Sequence, residues 1–237
     1  MRGKGFTFKQ FHIDHSRCAM KVGTDGTLLG AWSTIPNTGD ILDIGTGTGL
    51  IAIMAAQRSQ QAKISAIDID ADCVAQAIDN AKASKWSDRI AVIHSALQDF
   101  FPETKYDLII SNPPYFIDSL NSPDTARTTA RHNVSLTFEE LCNGVMRLIK
   151  ADGIFSLILP PTEMKSFLSV ARGKLYKTRY CEVWSTPTSG VKRIMAELKL
   201  TPPTLPPQCE KIIIEDNGPM GYSEEYRHLT RDFYLKF

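Results

Sequence analysis

The chain has 237 residues, 43 % of them hydrophobic and 22 % charged, with a formal net charge of +1. That balance excludes a disordered tail, which needs high net charge and few apolar residues. The length allows one large domain that builds its core without disulfide staples, and the near-neutral total, taken alone, argues against a nucleic-acid partner.

A run of alternations begins near residue 41. Ile41–Gly45 is a short apolar run ending in glycine, which suits a buried strand, and Gly49–Ser59 follows with Leu50, Ile53 and Met54 at helical spacing. Lys63–Ile69 reads as a second strand. Ala71–Ser84 reads as a helix with Val74, Ala77, Ile78 and Ala81 on one face. Strands are predicted at Ile90–His94, Tyr106–Ser111 and Gly153–Leu159, and helices at Phe138–Lys150 and Thr162–Lys174. Thr137 with Glu140 three residues on is a capping box for the first of these helices. Strand-like stretches then fall at Tyr180–Ser185, Arg193–Leu200 and Lys211–Glu215, with a helical tail over Ser223–Leu235. Residues 201–208 hold four prolines in eight positions and read as a surface loop.

Strands alternating with helices predict an α/β fold with a doubly wound, mostly parallel sheet of seven strands. The strand-after-strand pattern near the C-terminus predicts an antiparallel C-terminal strand. Residues 1–237 are expected to form one domain, with 1–40 as an N-terminal extension against the ligand cleft. The five cysteines, an odd count, read as free thiols of a reducing compartment. The N-terminus lacks the apolar stretch of a secretory signal, and no apolar run approaches the ~20 residues that span a bilayer. A cytoplasmic protein is expected, with no membrane partner. His12 and His15 have no further Cys or His nearby, so no metal is expected.

The sharpest local feature is DIGTGTG, Asp43 to Gly49, directly after the first strand of the alternation. The dinucleotide fingerprint G-x-G-x-x-G asks for glycine where Leu50 stands, which excludes an NAD-dependent oxidoreductase. Asp43 would repel a pyrophosphate but welcome a ligand with a cationic amine and no phosphate. S-adenosylmethionine (AdoMet) is such a ligand. Gly45, Gly47 and Gly49 let the backbone approach it closely. Asp68 ends the second strand 19 residues beyond Gly49, where a carboxylate takes both ribose hydroxyls, with Ile69 beside it. Asp70 is expected to open the following helix.

The strand Tyr106–Ser111 runs into Asn112-Pro113-Pro114-Tyr115. Ligands of open α/β sheets bind beyond the carboxyl ends of the strands, so this tetrad and the glycine loop should share one cleft. The two prolines fix the backbone and remove two N–H donors. What remains is a receptor for an amino group on a flat ring system: the Asn112 side-chain oxygen and the Pro113 carbonyl accept its hydrogens, and Tyr115 stacks on the plane.

These two motifs resemble those of class I AdoMet-dependent methyltransferases, Rossmann-like enzymes, and of the members that methylate amino nitrogens. The segments Met20–Trp32, QRSQ after the first helix, YDLIISNPPYF and GPMGYSEEYRHLTRDFYL narrow the likeness. They resemble the bacterial valine-tRNA adenine-37 N6-methyltransferase family, from about residue 6 to the C-terminus. The resemblance implies AdoMet as cofactor, tRNA as partner and an anticodon-loop adenine as target. It also implies that Lys21, Thr24 and Asp25 lie against the cofactor, although Thr24 and Asp25 also read as the N-cap of a helix through Trp32.

Relatives often place an Asp after the third strand to contact the cofactor's adenine. Here Leu97 occupies that position, leaving either Asp99 or the backbone around Ala96 and Leu97. Arg127, Arg131 and His132 follow the tetrad in a polar stretch that reads as a substrate-binding loop. The rival function, methylation of a glutamine amide in a release factor, is expected to bring a separate N-terminal helical domain; only about 40 residues precede the glycine loop. A noncatalytic binding module would not need Asp43, Asp68 and Asn112 together. No oligomer is specified, and a monomer is the expectation.

Charge is unevenly spread. Residues 43–125 hold six Lys/Arg against eleven Asp/Glu, whereas residues 160–199 hold eight against three. RNA binding depends on local phosphate neutralisation, so the near-zero total does not exclude it.

Overall fold

The computed structural model describes residues 5–114 and 136–237. Tyr115, Arg127, Arg131 and His132 therefore lie outside the described residues. In chain order the elements are β1 (Gly5–Thr7), β2 (His12–Asp14), α1 (Thr24–Trp32), β3 (Asp40–Ile44), α2 (Leu50–Arg58), β4 (Lys63–Asp68), α3 (Ala71–Ala83) and β5 (Ile90–His94). There follow β6 (Tyr106–Ser111), α4 (Phe138–Leu148), β7 (Ile149–Leu159), α5 (Pro161–Val170), β8 (Tyr176–Trp184), β9 (Val191–Lys199), β10 (Gln208–Ile213) and α6 (Glu224–Thr230).

The doubly wound, mostly parallel sheet expected from the sequence is present. Its order is β10-β8-β9-β7-β6-β3-β4-β5, beside a separate β1-β2 hairpin. It has eight strands rather than seven, and the antiparallel strand is β9, not the last one. A short connection after Trp184 turns the chain back, so β9 runs against both β8 and β7. The proline loop then carries the chain past β8, and β10 pairs with β8 in parallel.

Residues alternate between the two faces of the sheet. Leu42, Ile44, Ile109, Phe155 and Leu157 join one apolar cluster with Leu141 and Val145 of α4 and Phe167 of α5. Ile41, Leu108, Ile110 and Ile158 join the opposite cluster with Leu28 and Trp32 of α1, Ile51 and Ala55 of α2, and Tyr226 of α6. A third cluster brings Phe8, Phe11 and Ile13 of the N-terminal arm and Phe233 of the tail onto Leu50, Ile53 and Met54 of α2. No helix among the described residues is long and apolar enough to cross a membrane.

The chain leaves β3 toward β4 and β5 on one side and returns to β6 and β7 on the other. The strand order therefore reverses between β3 and β6, where open α/β sheets hold their ligands. At the opposite rim, where these strands begin, Asp107 accepts from the Asp40 amide at 2.7 Å and pairs with Lys150 at 2.7 Å.

Candidate active site

The glycine loop leaves β3 and is pinned to β4. The Gly45 and Thr46 amides donate to the Ile67 carbonyl at 2.9 and 3.0 Å. The Gly47 amide donates to Asp68 Oδ2 at 2.8 Å, and the Asp70 amide to Oδ1 at 3.0 Å. Gly47 has φ +55°, a region costly for other residues, and it lines both cavities described below. Gly49, at φ +80°, opens α2, and a Cβ there would stand 3.3 Å from the Ala77 methyl of α3. Asp70 caps α3 as expected, its carboxylate accepting from the Asp72 and Cys73 amides.

Asp43 lies beneath the loop, 1 % exposed, and lines neither cavity. Thr46 Oγ1 donates to its Oδ2 at 2.6 Å. Oδ1 faces the Ala52 amide in the first turn of α2 without a hydrogen bond of normal geometry among the described residues. Burial pushes this carboxyl up to about 7; the Asp68 charge also raises it, and the Thr46 hydrogen bond pulls the other way.

Two cavities open at the carboxyl ends of the strands. One, of about 430 Å³, is lined by Lys21, Thr24 and Asp25 before and in α1, by the glycine loop, and by Asn112 and Arg193. The other, of about 350 Å³, is lined by Ile44, Ile67, Asp68, Ile69, Cys73, Ala96, Leu97 and Gln98, with Asn112 and Pro114. They share Met20, Gly45, Gly47 and Asn112. Asn112 follows β6, which Ser111 ties to β3 through a 3.0 Å bond to the Ile44 carbonyl. Its Oδ1 is buried without a hydrogen-bond partner among the described residues. Buried acceptors are ordinarily satisfied, so an unpartnered one stands out on a residue that lines both cavities.

The structure thus brings together Lys21, Thr24, Asp25, Gly45, Gly47, Asp68, Ile69, Ala96, Leu97, Asn112 and Pro114. Pro113 is buried behind them. Asp99 is exposed and lines neither cavity, whereas Ala96 and Leu97 line the second. Thr24 and Asp25 do not cap α1: its N-cap is Gly23, without a side-chain bond. Asp25 instead accepts from Arg193 Nε at 2.8 Å.

The family model for the methyltransferase small domain matches residues 18–135. A curated tRNA1(Val) (adenine(37)-N6)-methyltransferase of Phocaeicola vulgatus is 46 % identical over 235 residues, covering 97 % of each chain. Its namesake in Parabacteroides distasonis is 44 % identical over 98 % of each. The chain belongs to the tRNA1(Val) (adenine(37)-N6)-methyltransferase family. Solved structures agree on the fold. A predicted O-methyltransferase from Agrobacterium tumefaciens superposes with TM-score 0.67 at 16 % identity, over 88 % of this chain and 96 % of that one. The glycopeptide N-methyltransferase MtfA, solved with S-adenosylmethionine, gives 0.54 at 12 % identity over 75 % and 95 %.

In this family member, Arg193 is the site residue that sequence reasoning missed. It lies in a stretch noted only for its positive charge. The spacing predicts one antiparallel strand near the C-terminus but not that it is β9, whose first residues are thereby delivered to the rim where the parallel strands end.

Proposed function

We propose that this chain transfers a methyl group from AdoMet to the exocyclic N6 of an adenine in tRNA, adenine 37 of tRNA1(Val). The observation that carries it is Asn112, which lines both cavities and holds a buried Oδ1 without a partner among the described residues. The residues present fit the cofactor. Ile44, Ile67, Ile69 and Leu97 offer apolar walls for a purine, with the Asp68 carboxylate beside them for a ribose diol. Ala96 and Leu97 border the purine edge. The other cavity offers Lys21 and the bare backbone of Gly45 and Gly47 to an amino-acid end, with Thr24 and Asp25 along its wall. Asp43 acts from below by holding Thr46, and Gly49 by seating α2 on α3.

When bound, the cofactor supplies an electrophilic methyl on a sulfonium. The protein's part is to hold an amino nitrogen in line with it. Asn112 Oδ1 and the Pro113 carbonyl accept the two N6 hydrogens, which turns the lone pair out of conjugation toward the methyl. Tyr115 stacks on the base, and Pro114 keeps the segment rigid. Positioning and preorganised acceptors of this kind account for much of such a rate. Arg127, Arg131 and His132 extend the site toward the RNA. The target is an unstacked loop base, which needs no extrusion from a duplex. Residues 1–40 belong to the same domain as an extension over the cleft, and the enzyme works as a cytoplasmic monomer.

The test is incubation with methyl-labelled AdoMet and either unmodified tRNA or a release factor. Label should appear in tRNA and migrate as N6-methyladenosine after digestion. Label in the release factor instead would overturn the assignment.

A further inference from the structure

We propose that Cys18 and Cys73 form a redox modification site, at which a hydroperoxide joins the two thiols in one intramolecular disulfide that straps the N-terminal segment to α3 beside the cofactor cavity. The ligand named for that cavity rests on the functional reading above; the site itself does not.

The geometry is a ladder. The chain after β2 runs along one face of α3 toward its N-terminus. At the first rung the Asp14 amide donates to Asn80 Oδ1 at 3.0 Å, and Asn80 Nδ2 returns a bond to the Asp14 carbonyl at 2.8 Å. One turn on, the Ser16 hydroxyl and the Arg17 amide both donate to Gln76 Oε1 at 3.3 Å. Positions 80, 76 and 73 share one helix face, so the next rung sets Cys18 against Cys73, and the two thiols interact with each other. The residues immediately after Cys18, Ala19 and Met20, line the cavity, and so does Cys73. Of the two sulfurs, Cys73 is thus the one reached from the cofactor cavity, with Cys18 buried behind it.

The pair is also chemically suited. The neighbouring Cys73 side chain draws the Cys18 thiol below its ordinary value, against burial and the charges of Asp68, Asp70 and Asp72. The thiolate is the nucleophile. Elsewhere burial pushes Cys142 up and takes Cys181 to about 12, and Cys209 stands exposed on β10 beside Tyr180.

In the first step the thiolate of the pair attacks one peroxide oxygen. The O–O bond breaks, an alcohol or water leaves with a proton, and the sulfur becomes a sulfenic acid. The second thiol then attacks that sulfur. The S–S bond forms, the S–O bond breaks, and water leaves with the second proton. Two thiols lose two electrons, and the hydroperoxide is reduced by two. The disulfide brings the sulfurs to roughly 2.05 Å, so the backbone carrying Ala19 and Met20 must shift against α3.

The experiment treats the reduced full-length protein with hydrogen peroxide, blocks residual thiols, and maps non-reduced peptides by mass spectrometry. AdoMet affinity is measured before oxidation, after it, and after dithiothreitol. Expected are a Cys18–Cys73 cross-linked peptide lighter by two hydrogens and an affinity loss of about fivefold or more, reversed by dithiothreitol. Neither Cys18→Ser nor Cys73→Ser should show the peroxide-induced change. Sulfinic acid without a cross-link, a cross-link through Cys209, or an equal loss in the serine variants would overturn the proposal. Reduced protein that binds no AdoMet would sink the functional reading instead, with the cross-link still scored on its own.

Discussion

Asn112 lines both cavities and holds a buried acceptor without a partner among the described residues. Asn112→Ala should lower kcat by about 10²–10³-fold while leaving the Kd for AdoMet within about threefold. A parallel loss of both, in single-turnover and calorimetric measurements, would assign Asn112 to cofactor binding alone. Asp43 predicts a pH effect whose sign follows from burial. Its carboxyl is pushed up to about 7 from 3.8, so the folded state holds the proton more tightly than the unfolded chain. That contribution to stability is complete below about pH 4 and is lost as pH rises through about 7, on the order of 4 kcal/mol at most. Asp43→Asn should flatten this part of the profile: the urea midpoint of the parent should drop more between pH 5 and pH 8 than that of the variant. Asp68 and Asn112 were legible because a carboxylate or amide at the end of an apolar strand has few other uses. Asp43 was legible as part of the loop but not as its foundation, since only packing shows which side of a turn a short side chain takes.

Among the elements, α3 and α4 had legible starts, and in α4 the whole capping box was legible. Thr137 Oγ1 accepts from the Glu140 amide at 3.1 Å, and Glu140 Oε2 accepts from the Thr137 amide at 2.8 Å. Thr137→Ala should cost about 1 kcal/mol in chemical denaturation, and a double-mutant cycle with Glu140→Ala should show coupling between the two. The start of α1 misled for a physical reason. Every residue from Gly26 to Trp32 is buried, so the helix has no polar face to mark its period, and Thr24 looked like a cap. Its far end is held by an arrangement no local pattern reveals: Trp32 Nε1 donates to Glu210 at 2.9 Å, and the Arg179 guanidinium lies 4.1 Å over the indole ring. The same contact explains β10. Its residues are half exposed and follow a proline loop, so hydrophobic periodicity places it late. It is pairing with β8 and the ion pair from Arg179 to Glu210 at 2.6 Å that fix it as the eighth strand. Likewise, β1 and β2 are three residues each, too short to show a period.

Over the whole molecule, the structure changes how the charge surplus of residues 160–199 counts. Arg179 is engaged by Glu197 and Glu210, Arg193 by Asp25, and Lys177 lies 3.7 Å over the Tyr180 ring. Local surplus in sequence is therefore not the same as positive surface, and the grip on RNA should be modest. The KM for tRNA should still rise with salt, with a log–log slope near 2, corresponding to about three neutralised phosphates at 0.7–0.9 each. The Kd for AdoMet should move far less over the same range, and equal salt dependence would refute an electrostatic RNA contact. The fold itself was legible because alternation is a long-range pattern repeated many times; the missing helix late in the chain announced one reversal, but not that β9 carries it. One rim of the sheet collects every cavity-lining strand end, while the ion cluster of Asp40, Asp107 and Lys150 closes the other. The turn before β6 lies at that other rim, about 20 Å from Asn112 along six residues of extended chain. A fluorophore or surface tether attached at Lys105 would thus leave the mouth of the site facing solution, which makes this turn the natural handle for immobilising the enzyme in a working orientation.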